Sequence, residues 1–384
     1  MRILFDDHIF SIQQHGGVSR CFAEIIAGLR AHPGVQVVLP FRRVINAHLI
    51  DQPDLDVRDF LGERHFPGKR TLLRQHNKRL VRRALQHGAF DVFHPTFYDT
   101  DLLALPHIGS PHGSPPYLLH GRPLVVTVHD MAPELMPEIF ARPEMIHPGK
   151  RELCNAASAI VAVSQTTKAD LVRLYGIDPA RVEVVHHGLS RDAVWLPGRP
   201  AGVALPERYL LTVGRRDGYK NFAGVAGTLA ACLARRSGLH LVCVGGGPLT
   251  ESDRRPFQEA GCADRLHQHT LAAADLAHAY AHAAAFVFPS LYEGFGFPIL
   301  ESFANGCPAV LSARSCFPEI AADAALYFDP DAPETLADAL GRVLDDAALR
   351  DRLAAAGRRR VAGFAWTAAV DRLVALYRRL LAHG

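Results

Sequence analysis

Short apolar runs alternate with longer amphipathic stretches along most of this 384-residue chain, and this alternation strongly limits the folds it can adopt. Buried parallel strands are nearly continuous apolar runs, whereas an amphipathic helix repeats its apolar residues at helical spacing. The alternation therefore indicates βαβ units and an α/β protein with doubly wound parallel sheets. The predicted strands are RILF, VQVVLP, DVFHP, PLVVTVHD, AIVAVS and VEVVHHG, followed by YLLTVG, LHLVCVGGG, AAAFVFPS, CPAVLS and ALYFDP.

The strands form two series, which predicts two domains in a chain too long for one ordinary core. The first domain is expected over residues 1–190 and the second over 209–365, with a Pro- and Gly-rich linker over 191–208. Residues 366–384 have apolar side chains at helical spacing, which predicts a helix that packs back on the body. Two Rossmann-like domains are expected to face a cleft at the carboxyl ends of their strands.

Composition limits the classes of function. The net charge of +3 is too small to indicate a nucleic-acid binder. No apolar run reaches the roughly 20 residues of a membrane helix, and the acidic start MRILFDDHIF is unlike a signal peptide, so a cytoplasmic protein is expected. The seven cysteines are scattered and lack a CxxC pair, which is typical of reduced buried thiols and not of a zinc or disulfide framework.

Three cations follow the first strand of the second domain, in the stretch VGRRDGYKNF. Arg215, Arg216 and Lys220 precede a helix that we expect to begin near Asn221. A helix N-terminus favours negative charge, so cations there suggest a bound anion that they share with the helix. The alternative is a solvated basic loop, and spacing alone does not separate the two.

Two glutamates flank a glycine-rich turn in SLYEGFGFPILESFANG, residues 290–306. A helix is expected from Ile299 to Asn305, with Glu301 in its first turns and Glu293 in the preceding loop. The turn offers backbone N–H donors from Gly294, Phe295, Gly296 and Phe297. Carboxylates suit hydroxyl groups such as a ribose diol, which predicts a site for a polyol and an anion. A favourable first-turn charge on a solvated helix is the alternative.

The first domain offers polar residues where its strands end. His129 and Asp130 follow one buried strand, and the stretch FHPTFYDTD follows another. The side chains of that stretch suited to sugar hydroxyls are His94, Thr96, Tyr98 and Asp99. Gly16 and Gly17 precede a helix expected to begin near Ser19 and permit close contact with a ligand, although a tight turn alone would also use them.

Other motifs favour weaker hypotheses. The pairs Asp99/Asp101 and Asp54/Asp56 could bind a metal, but short acidic pairs are common, and no metal site is predicted. The basic stretch 69–83 has its leucines on one helical side, which fits either contact with an anionic membrane surface or a solvated helix. Neither leading strand is followed by a G-x-G-x-x-G fingerprint or a P-loop, so no nicotinamide, flavin or other cofactor is predicted.

Together these motifs resemble glycosyltransferase family 4, whose members have the GT-B fold. FVFPSLYEGFGFPILESFANGCPAVLS resembles the family's E-x7-E signature, with Glu293 and Glu301 in place. VGRRDGYKNF is similar to its diphosphate-binding loop, although Tyr219 replaces an arginine that often precedes the lysine. QQHGGVSRCFAEI and FHPTFYDTD resemble a bacterial branch that builds surface polysaccharides, often from mannose-type donors.

The resemblance implies a role for each matching residue. Lys220 and Arg215 hold the donor diphosphate, with Arg216 as the other candidate arginine, and Gly16–Gly17 approach the diphosphate from the first domain. Glu301 binds the ribose, Glu293 and the backbone of 294–297 bind the donor sugar, and His129 lies near the anomeric carbon. The base is placed near His267 to Leu271. His94, Thr96, Tyr98 and Asp130 are the acceptor-binding candidates.

The function implied is a retaining, metal-independent transfer of a hexose, first of all mannose from GDP-mannose, to a saccharide or lipid-linked saccharide in surface polysaccharide synthesis. The alternatives are a nucleotide-sugar epimerase, a sugar phosphorylase or a non-enzymatic nucleotide-sugar-binding subunit. The expected partners are the nucleotide sugar and the acceptor, with peripheral membrane contact through 69–83 and no nucleic acid.

Overall fold

The computed structural model describes residues 1–62, 64, 66–102, 119–140, 149–196 and 202–382. The chain divides into two compact units. The first unit is Met1–Gly188 together with Trp366–Gly384, and the second unit is Leu189–Ala365. The first unit is therefore built from two separate segments of the chain, with the second unit inserted between them.

The first unit contains two parallel sheets joined at one position. One sheet has the order β2-β1-β5 and the other the order β6-β7-β8, and Phe93 of β5 bridges to Leu124, just before β6. Two further strands, β3 and β4, form a small parallel pair. The strands are β1 Arg2–Leu4, β2 Gln36–Val38, β3 Arg43–Val44, β4 Arg58–Asp59, β5 Val92–Phe93, β6 Val125–Val128, β7 Ala159–Ala162 and β8 Val182–Val184. Strands β6 and β7, which are apolar apart from Thr127, are buried along their whole length.

Helices cover the sheets of the first unit. They are α1 His8–Ile12, α2 Gly17–Ala31, α3 Ala47–Ile50, α4 Lys69–His87, α5 Ala132–Leu135, α6 Lys150–Ala156 and α7 Gln165–Tyr175, with short 3-10 turns at Thr100–Leu102, Pro137–Ile139 and Pro179–Arg181. Helix α2 begins at Gly17, two residues before the expected start near Ser19. The Ser19 hydroxyl is buried inside the first turn and donates to the carbonyl of Gly16 at 3.1 Å.

The basic helix α4 is longer than the predicted 69–83 and buries its apolar side inside the first unit. Leu73, Val81 and Leu85 are fully buried, and Arg74 and Lys78 form ion pairs with neighbouring carboxylates. These three side chains are covered by protein, although Leu72 is 52% exposed, and the structure does not support the predicted membrane contact. Within the described ranges, none of the helices combines the length and the apolar character needed to span a bilayer.

The second unit is a single six-stranded parallel sheet with the order β11-β10-β9-β12-β13-β14. Its strands are β9 Tyr209–Val213, β10 His240–Val244, β11 Leu266–His269, β12 Ala285–Phe288, β13 Ala309–Ser312 and β14 Ala325–Phe328. This is the Rossmann order. The strands follow one another outward in one direction from β9 and in the opposite direction from β12, so the strand order reverses between these two neighbours. The core contains the apolar side chains of the sheet together with those of the covering helices.

The helices of the second unit are α8 Phe222–Ala234, α9 Glu251–Glu259, α10 Ala273–His282, α11 Phe297–Ala304, α12 Phe317–Ala321, α13 Pro333–Asp345 and α14 Ala347–Val361. Short 3-10 turns lie at Arg191–Ala193, Gly218–Lys220, Ala263–Arg265 and Ala322–Ala324. Asn221 immediately precedes α8, but its side chain makes no capping bond. It donates instead to the carbonyl of Pro289 at 3.2 Å, which joins the loops after β9 and β12.

The chain returns to the first unit as α15, Trp366–Ala382. Its apolar side packs on α2, where Gly28 lies against Val370. A Cβ added at Gly28 would be 2.5 Å from a Val370 methyl, so only glycine allows the helices to approach this closely. Arg379 forms an ion pair with Glu183 at 2.8 Å at the periphery.

Candidate active site

The candidate site lies in the second unit, at the carboxyl ends of β9 and β12. These strands flank the position where the strand order reverses, which is where open α/β sheets bind ligands. The loops after the two strands line a small pocket formed by Thr212, Val213, Gly214, Arg215, Arg216, Lys220, Phe222, Val287, Phe288, Pro289 and Ser290. Both stretches that the sequence singled out in this domain therefore meet at one edge of one sheet.

Lys220 and Glu293 form the centre of this site. Lys220 Nζ lies 2.6 Å from Glu293 Oε1, and the two side chains retain 20% and 15% exposure. The hydroxyl of Ser290 donates to the same carboxylate oxygen at 2.8 Å. The ammonium also lies over the Tyr219 ring, 4.9 Å from its centroid, so the residue that replaces the expected arginine contacts the lysine directly. The pair is fixed, yet it remains accessible to a ligand.

Arg215 and Arg216 have different surroundings, although they are adjacent in sequence. Arg215 is largely exposed and donates through Nε to Asp217 at 2.9 Å. This hydrogen bond lowers the pKa of Asp217, despite the small opposing effect of burial. Arg215 is thus an exposed cation at the rim of the site, held by a carboxylate that an anionic ligand could replace.

Arg216 is buried and supports the glycine-rich turn after β10. Its guanidinium donates to the carbonyls of Gly245 at 2.9 Å, Gly247 at 2.7 Å and Pro248 at 2.9 Å, and it contacts Asp253 at 3.3 Å. These bonds occupy the guanidinium, so the structure does not support Arg216 as the alternative ligand of a diphosphate. Arg216 therefore holds in place the loops that line the pocket.

The glycine-rich turn after β12 leads into α11. The helix begins at Phe297, two residues before the predicted Ile299, because Gly296 adopts a φ of 95° and Pro298 suits a first helical turn. Gly294, Phe295 and Gly296 therefore precede the helix, and the N–H groups of its first turn point toward the loop. Glu301 is buried at 6% exposure, and its Oε2 accepts from the Tyr280 hydroxyl at 3.3 Å.

Ser315, which follows β13, holds the main chain of Glu293 in place. Its hydroxyl donates to the Glu293 carbonyl at 2.6 Å and accepts from the Glu293 N–H at 3.1 Å. Next to it, the Cys316 thiol donates to the Phe295 carbonyl at 3.1 Å. Sequence reasoning missed both residues, because nothing in the local pattern brings the loop after β13 to the loop after β12.

Two predicted acceptor residues lie inside the first unit. His94 is fully buried, with Nδ1 2.6 Å from the Tyr377 hydroxyl and Nε2 2.8 Å from that of Thr127. Burial, together with nearby His129, lowers the pKa of His94 to about 3, so the ring is neutral. Thr96 is 1% exposed and hydrogen-bonded to Asp6. Because protein groups occupy these polar atoms, the structure does not support acceptor binding by His94 or Thr96.

The other predicted residues of the first unit lie near the end of β6. Tyr98 is 4% exposed, and its hydroxyl donates to the carbonyl of Thr127 at 3.3 Å, which leaves little surface for an acceptor. Asp130 is half-buried, and its carboxylate accepts from the Ala132 N–H at 3.1 Å at the start of α5. His129 is half-buried between the rings of Phe22 and His187.

A buried lysine that the sequence did not single out supports the loop after β6. Lys150 Nζ lies 2.8 Å from Glu134 Oε1 and donates to the carbonyl of Asp130 at 3.0 Å. The Tyr175 hydroxyl also donates to Glu134. Lys150 is only 1% exposed, and its positive charge is paired with the carboxylate of Glu134 and the carbonyl of Asp130. These contacts fix the segment that carries His129 and Asp130.

Three further predictions concern positions away from this loop. Gly16 immediately precedes α2, and the approach of Gly16–Gly17 to a ligand stays a prediction. His267 lies within β11, 2.9 Å from His240 at the amino end of β10, so the structure does not support base binding at the carboxyl edge by His267. Leu271 follows β11 at that edge, and its contact with a base stays a prediction.

The acidic pairs weighed as metal ligands bind cations of the protein itself. Asp99 accepts from Arg74 and from Lys78, and Lys78 also lies 3.1 Å from Asp101. Asp56 pairs with Arg42. These contacts account for Asp56, Asp99 and Asp101 as members of structural ion pairs.

Two family models match the chain. The model described as Glycosyl transferases group 1 matches residues 199–360, and the model described as Glycosyltransferase Family 4 matches residues 15–193. Together they extend over both units and include the candidate site.

Known proteins with similar sequences include two bacterial enzymes. An O-antigen chain mannosyltransferase B of Escherichia coli is 27% identical over 284 residues, which covers 70% of this chain and 74% of that protein. A D-inositol 3-phosphate glycosyltransferase of Thermobifida fusca is 28% identical over 326 residues, covering 79% and 73%.

Solved structures show the same fold at lower identity. A sucrose-phosphate synthase of Thermosynechococcus elongatus aligns with a TM-score of 0.69 and 21% identity, covering 100% of this chain and 99% of that one. Anabaena HepE in complex with UDP aligns with a TM-score of 0.70 and 18% identity, covering 99% and 100%.

Proposed function

Because this chain is a GT-B glycosyltransferase of the family 4 type, we propose that it transfers a hexose from a nucleotide sugar to a saccharide or lipid-linked saccharide, with retention of configuration and without a metal. In this proposal the domain of residues 209–365 binds the donor and the domain of residues 1–190 binds the acceptor. Mannose from GDP-mannose is the first donor to test, and surface polysaccharide is the proposed product.

The Lys220–Glu293 pair at the strand-order reversal carries the proposal. An ammonium and a carboxylate side by side, next to the N–H groups at the start of α11, match the two chemical parts of a nucleotide sugar. The diphosphate is an anion that suits Lys220 and the helix N-terminus, whereas the hexose is a polyol that suits Glu293. Buried Glu301, further into α11, is the proposed ligand of the ribose hydroxyls.

Electrostatic stabilisation of the leaving group is the proposed source of catalysis. As the bond from sugar C1 to the phosphate oxygen breaks, negative charge develops on the departing diphosphate. Lys220 and the α11 N-terminus are fixed in position before the reaction, which is what makes such stabilisation effective. Arg215 exchanges Asp217 for the diphosphate in this scheme and adds a second positive charge.

The bond changes are those of a front-face transfer. The acceptor hydroxyl forms a new bond to C1 on the side from which the phosphate leaves, and its proton passes to the leaving phosphate oxygen. Retention then needs no covalent bond between sugar and protein. His129 is proposed to lie near the anomeric carbon, on a segment that Lys150 holds in place.

Two sequence relatives bear on the substrate. The Escherichia coli relative is an O-antigen chain mannosyltransferase, which supports a mannose donor and a polysaccharide product. The Thermobifida fusca relative is a D-inositol 3-phosphate glycosyltransferase, which makes a phosphorylated inositol a second acceptor to test. A panel of nucleotide sugars, ranked by the rise in unfolding temperature they cause, identifies the donor, because a ligand stabilises the state it binds.

Replacement of Lys220 tests the proposed function. The Lys220→Ala variant is expected to lower donor turnover by about 10²–10³-fold, since removal of one fixed charge-stabilising donor has effects of that order. Turnover is measured with the best donor of the panel and a saccharide acceptor. Arg235→Ala is the matched control, because Arg235 is an exposed cation at the far end of α8.

Near-normal turnover by Lys220→Ala would refute the role assigned to the lysine. An equal loss in Arg235→Ala would show a general effect of surface charge. Conversion of the donor without an acceptor, or cleavage that depends on added phosphate, would indicate an epimerase or a phosphorylase.

A further inference from the structure

Three potential metal ligands converge in the first unit, in a place the sequence did not indicate. Cys21 lies on α2, His129 directly follows β6, and His187 follows β8. One donor atom from each lies within 4.8 Å of the other two. Among the described residues, this is the one group of three Cys, His, Asp or Glu side chains with that geometry.

The group has the chemistry and spacing of a zinc-type site. Tetrahedral Zn²⁺ takes thiolate sulfur at about 2.3 Å and imidazole nitrogen at about 2.0–2.1 Å, which places neighbouring ligand atoms about 3.3–3.6 Å apart. Cys21 Sγ and His187 Nδ1 are 3.4 Å apart. The remaining separations, at most 4.8 Å, need a contraction of up to about 1.2–1.5 Å for a metal ion to bind all three atoms.

We propose that Cys21, His129 and His187 form a binding site for a borderline-soft divalent metal ion such as Zn²⁺, with a fourth position left to water. Thiolate and imidazole ligands select such metals over Mg²⁺ or Ca²⁺, which prefer oxygen. Binding replaces the thiol proton: the Cys21 S–H bond breaks, a sulfur–metal bond forms and one proton is released to solvent.

The surroundings set the conditions for binding. Cys21 is fully buried and His187 is 5% exposed, whereas His129 is half-buried and provides the accessible side of the group. Burial, then His129, lowers the pKa of His187, which favours the neutral form of its imidazole. Burial and then Glu24 raise the pKa of Cys21, and nearby Arg20 opposes this rise only in part.

Occupation of the site would affect catalysis if the proposed function is correct. His129 cannot coordinate a metal and contact the donor sugar through the same nitrogen. The metal is thus expected to inhibit transfer and not to support it. This consequence rests on the proposed role of His129, whereas the binding site itself does not.

Cobalt titration of the full chain tests the site without any substrate. Co²⁺ is added to chelator-treated protein while the thiolate-to-cobalt charge-transfer band is recorded. One equivalent is expected to bind with that band, and Zn²⁺ is expected to displace it. Cys21→Ala should remove the band and weaken binding by more than about 100-fold, since even outer-shell partners of a metal ligand contribute about 10–100-fold.

Cys154→Ala is the matched control, because Cys154 is equally buried in the same unit and lies outside the group. It should bind cobalt as the parent protein does. His187→Gln provides a second variant that keeps the thiol, and thermal unfolding of each variant verifies that it is folded.

Absence of a thiolate band at one equivalent overturns the site, as does an unchanged band in folded Cys21→Ala or His187→Gln. Such results would mean that the cluster is only a thiol–imidazole hydrogen bond. Zn²⁺ inhibition that Cys21→Ala relieves would support the catalytic consequence. Binding without inhibition would support the metal site and contradict only the expected inhibition of sugar transfer.

Discussion

At the scale of single residues, Asp6 makes the first unit sensitive to pH. It directly precedes Asp7 near the end of β1 and is fully buried. Its Oδ1 accepts from the Thr96 N–H at 2.7 Å and from the Thr96 hydroxyl, but among the described residues its Oδ2 has no hydrogen-bond partner. Burial and then the charge of Asp7 raise the pKa of Asp6 to about 7, against a lowering effect of Arg74.

This raised pKa predicts that Asp6→Asn stabilises the protein at high pH. A carboxyl whose folded-state pKa is raised contributes stability below its unfolded pKa of about 4, and this stability is lost as pH rises through about 7. Asparagine keeps the acceptor oxygen but carries no charge. At pH 8 its free energy of unfolding should exceed the parent's by on the order of a few kcal/mol, at about 1.4 kcal/mol per pKa unit. The difference should shrink toward pH 4, as urea unfolding across this range will show.

Asp91→Asn serves as a control, because the effect of pH on its contribution to stability should have the opposite sign. Although partial burial acts in the other direction, hydrogen bonds from Arg2 lower the pKa of Asp91, so its contribution to stability is present above its unfolded pKa and is lost at low pH. A difference between Asp6→Asn and the parent that stays constant from pH 4 to 8 would contradict the assignment to Asp6.

The sequence indicated the positions of some candidate residues better than those of others. Lys220 and Glu293 were recognisable because each follows a clearly apolar strand, and strand ends meet at one edge of a parallel sheet. Arg215 and Arg216 could not be separated, since their surroundings differ through the distant turn at Gly245–Pro248. The sequence also did not indicate the burial of His94, because its partner Tyr377 lies 283 residues away in sequence.

At the scale of elements, the loop after β13 positions the loop after β12 through Ser315. Ser315 has a φ of 56°, a left-handed conformation that costs a non-glycine residue of order 1 kcal/mol or more. Its hydroxyl makes two hydrogen bonds to the main chain of Glu293. The serine thus combines an unfavourable backbone conformation with contacts that fix a proposed sugar-binding residue.

Ser315→Gly is expected to separate stability from activity. Glycine relieves the backbone strain, which offsets the roughly 1–3 kcal/mol of the two lost hydrogen bonds, so the unfolding temperature should stay close to the parent's. Loss of two hydrogen bonds, at about 0.5–1.5 kcal/mol each, should lower sugar transfer by roughly tenfold through looser positioning of Glu293. Ser315→Ala keeps the strain and lacks the hydroxyl, so it should be both less stable and less active. Thermal unfolding and steady-state transfer rates measure the two effects.

Ala322→Gly is the matched control for this prediction. Ala322 also has a positive φ, of 50°, but its side chain makes no polar contact with the site. The substitution should raise stability and leave transfer unchanged. Unaltered transfer in both Ser315 variants would contradict the positioning role of the hydroxyl.

The sequence predicted elements well where an apolar run marked them. Each apolar run named as a strand contains one, whereas β11 was missed because LHQH mixes histidines into an edge strand that is only partly buried. The short pair of β3 and β4 also lacks an apolar run. The start of α11 was misplaced because proline and glycine lower helix propensity in general, although proline is favourable in the first turn of a helix.

At the scale of the whole molecule, the first unit depends on the last helix of the chain. The chain leaves this unit after Gly188 and returns at Trp366. Helix α15 then buries five large side chains, Val370, Leu373, Val374, Leu376 and Tyr377. At about 1.5–3 kcal/mol for each, their burial contributes roughly 7–15 kcal/mol, which is comparable to the whole stability of a typical domain.

A chain ending at residue 365 is therefore expected to lose the fold of the first unit and to keep that of the second. Amide hydrogen exchange should show loss of protection in β1 and in β5–β8, with protection retained in β9–β14, because the second unit has its own core. Tyr377→Phe is the control: it removes only the bond to His94 and should lower stability by about 1–3 kcal/mol while both units stay folded. Equal protection of β1 in the truncated and full-length chains would show that the first unit folds without α15. It would also mean that this buried apolar surface contributes far less than its area suggests.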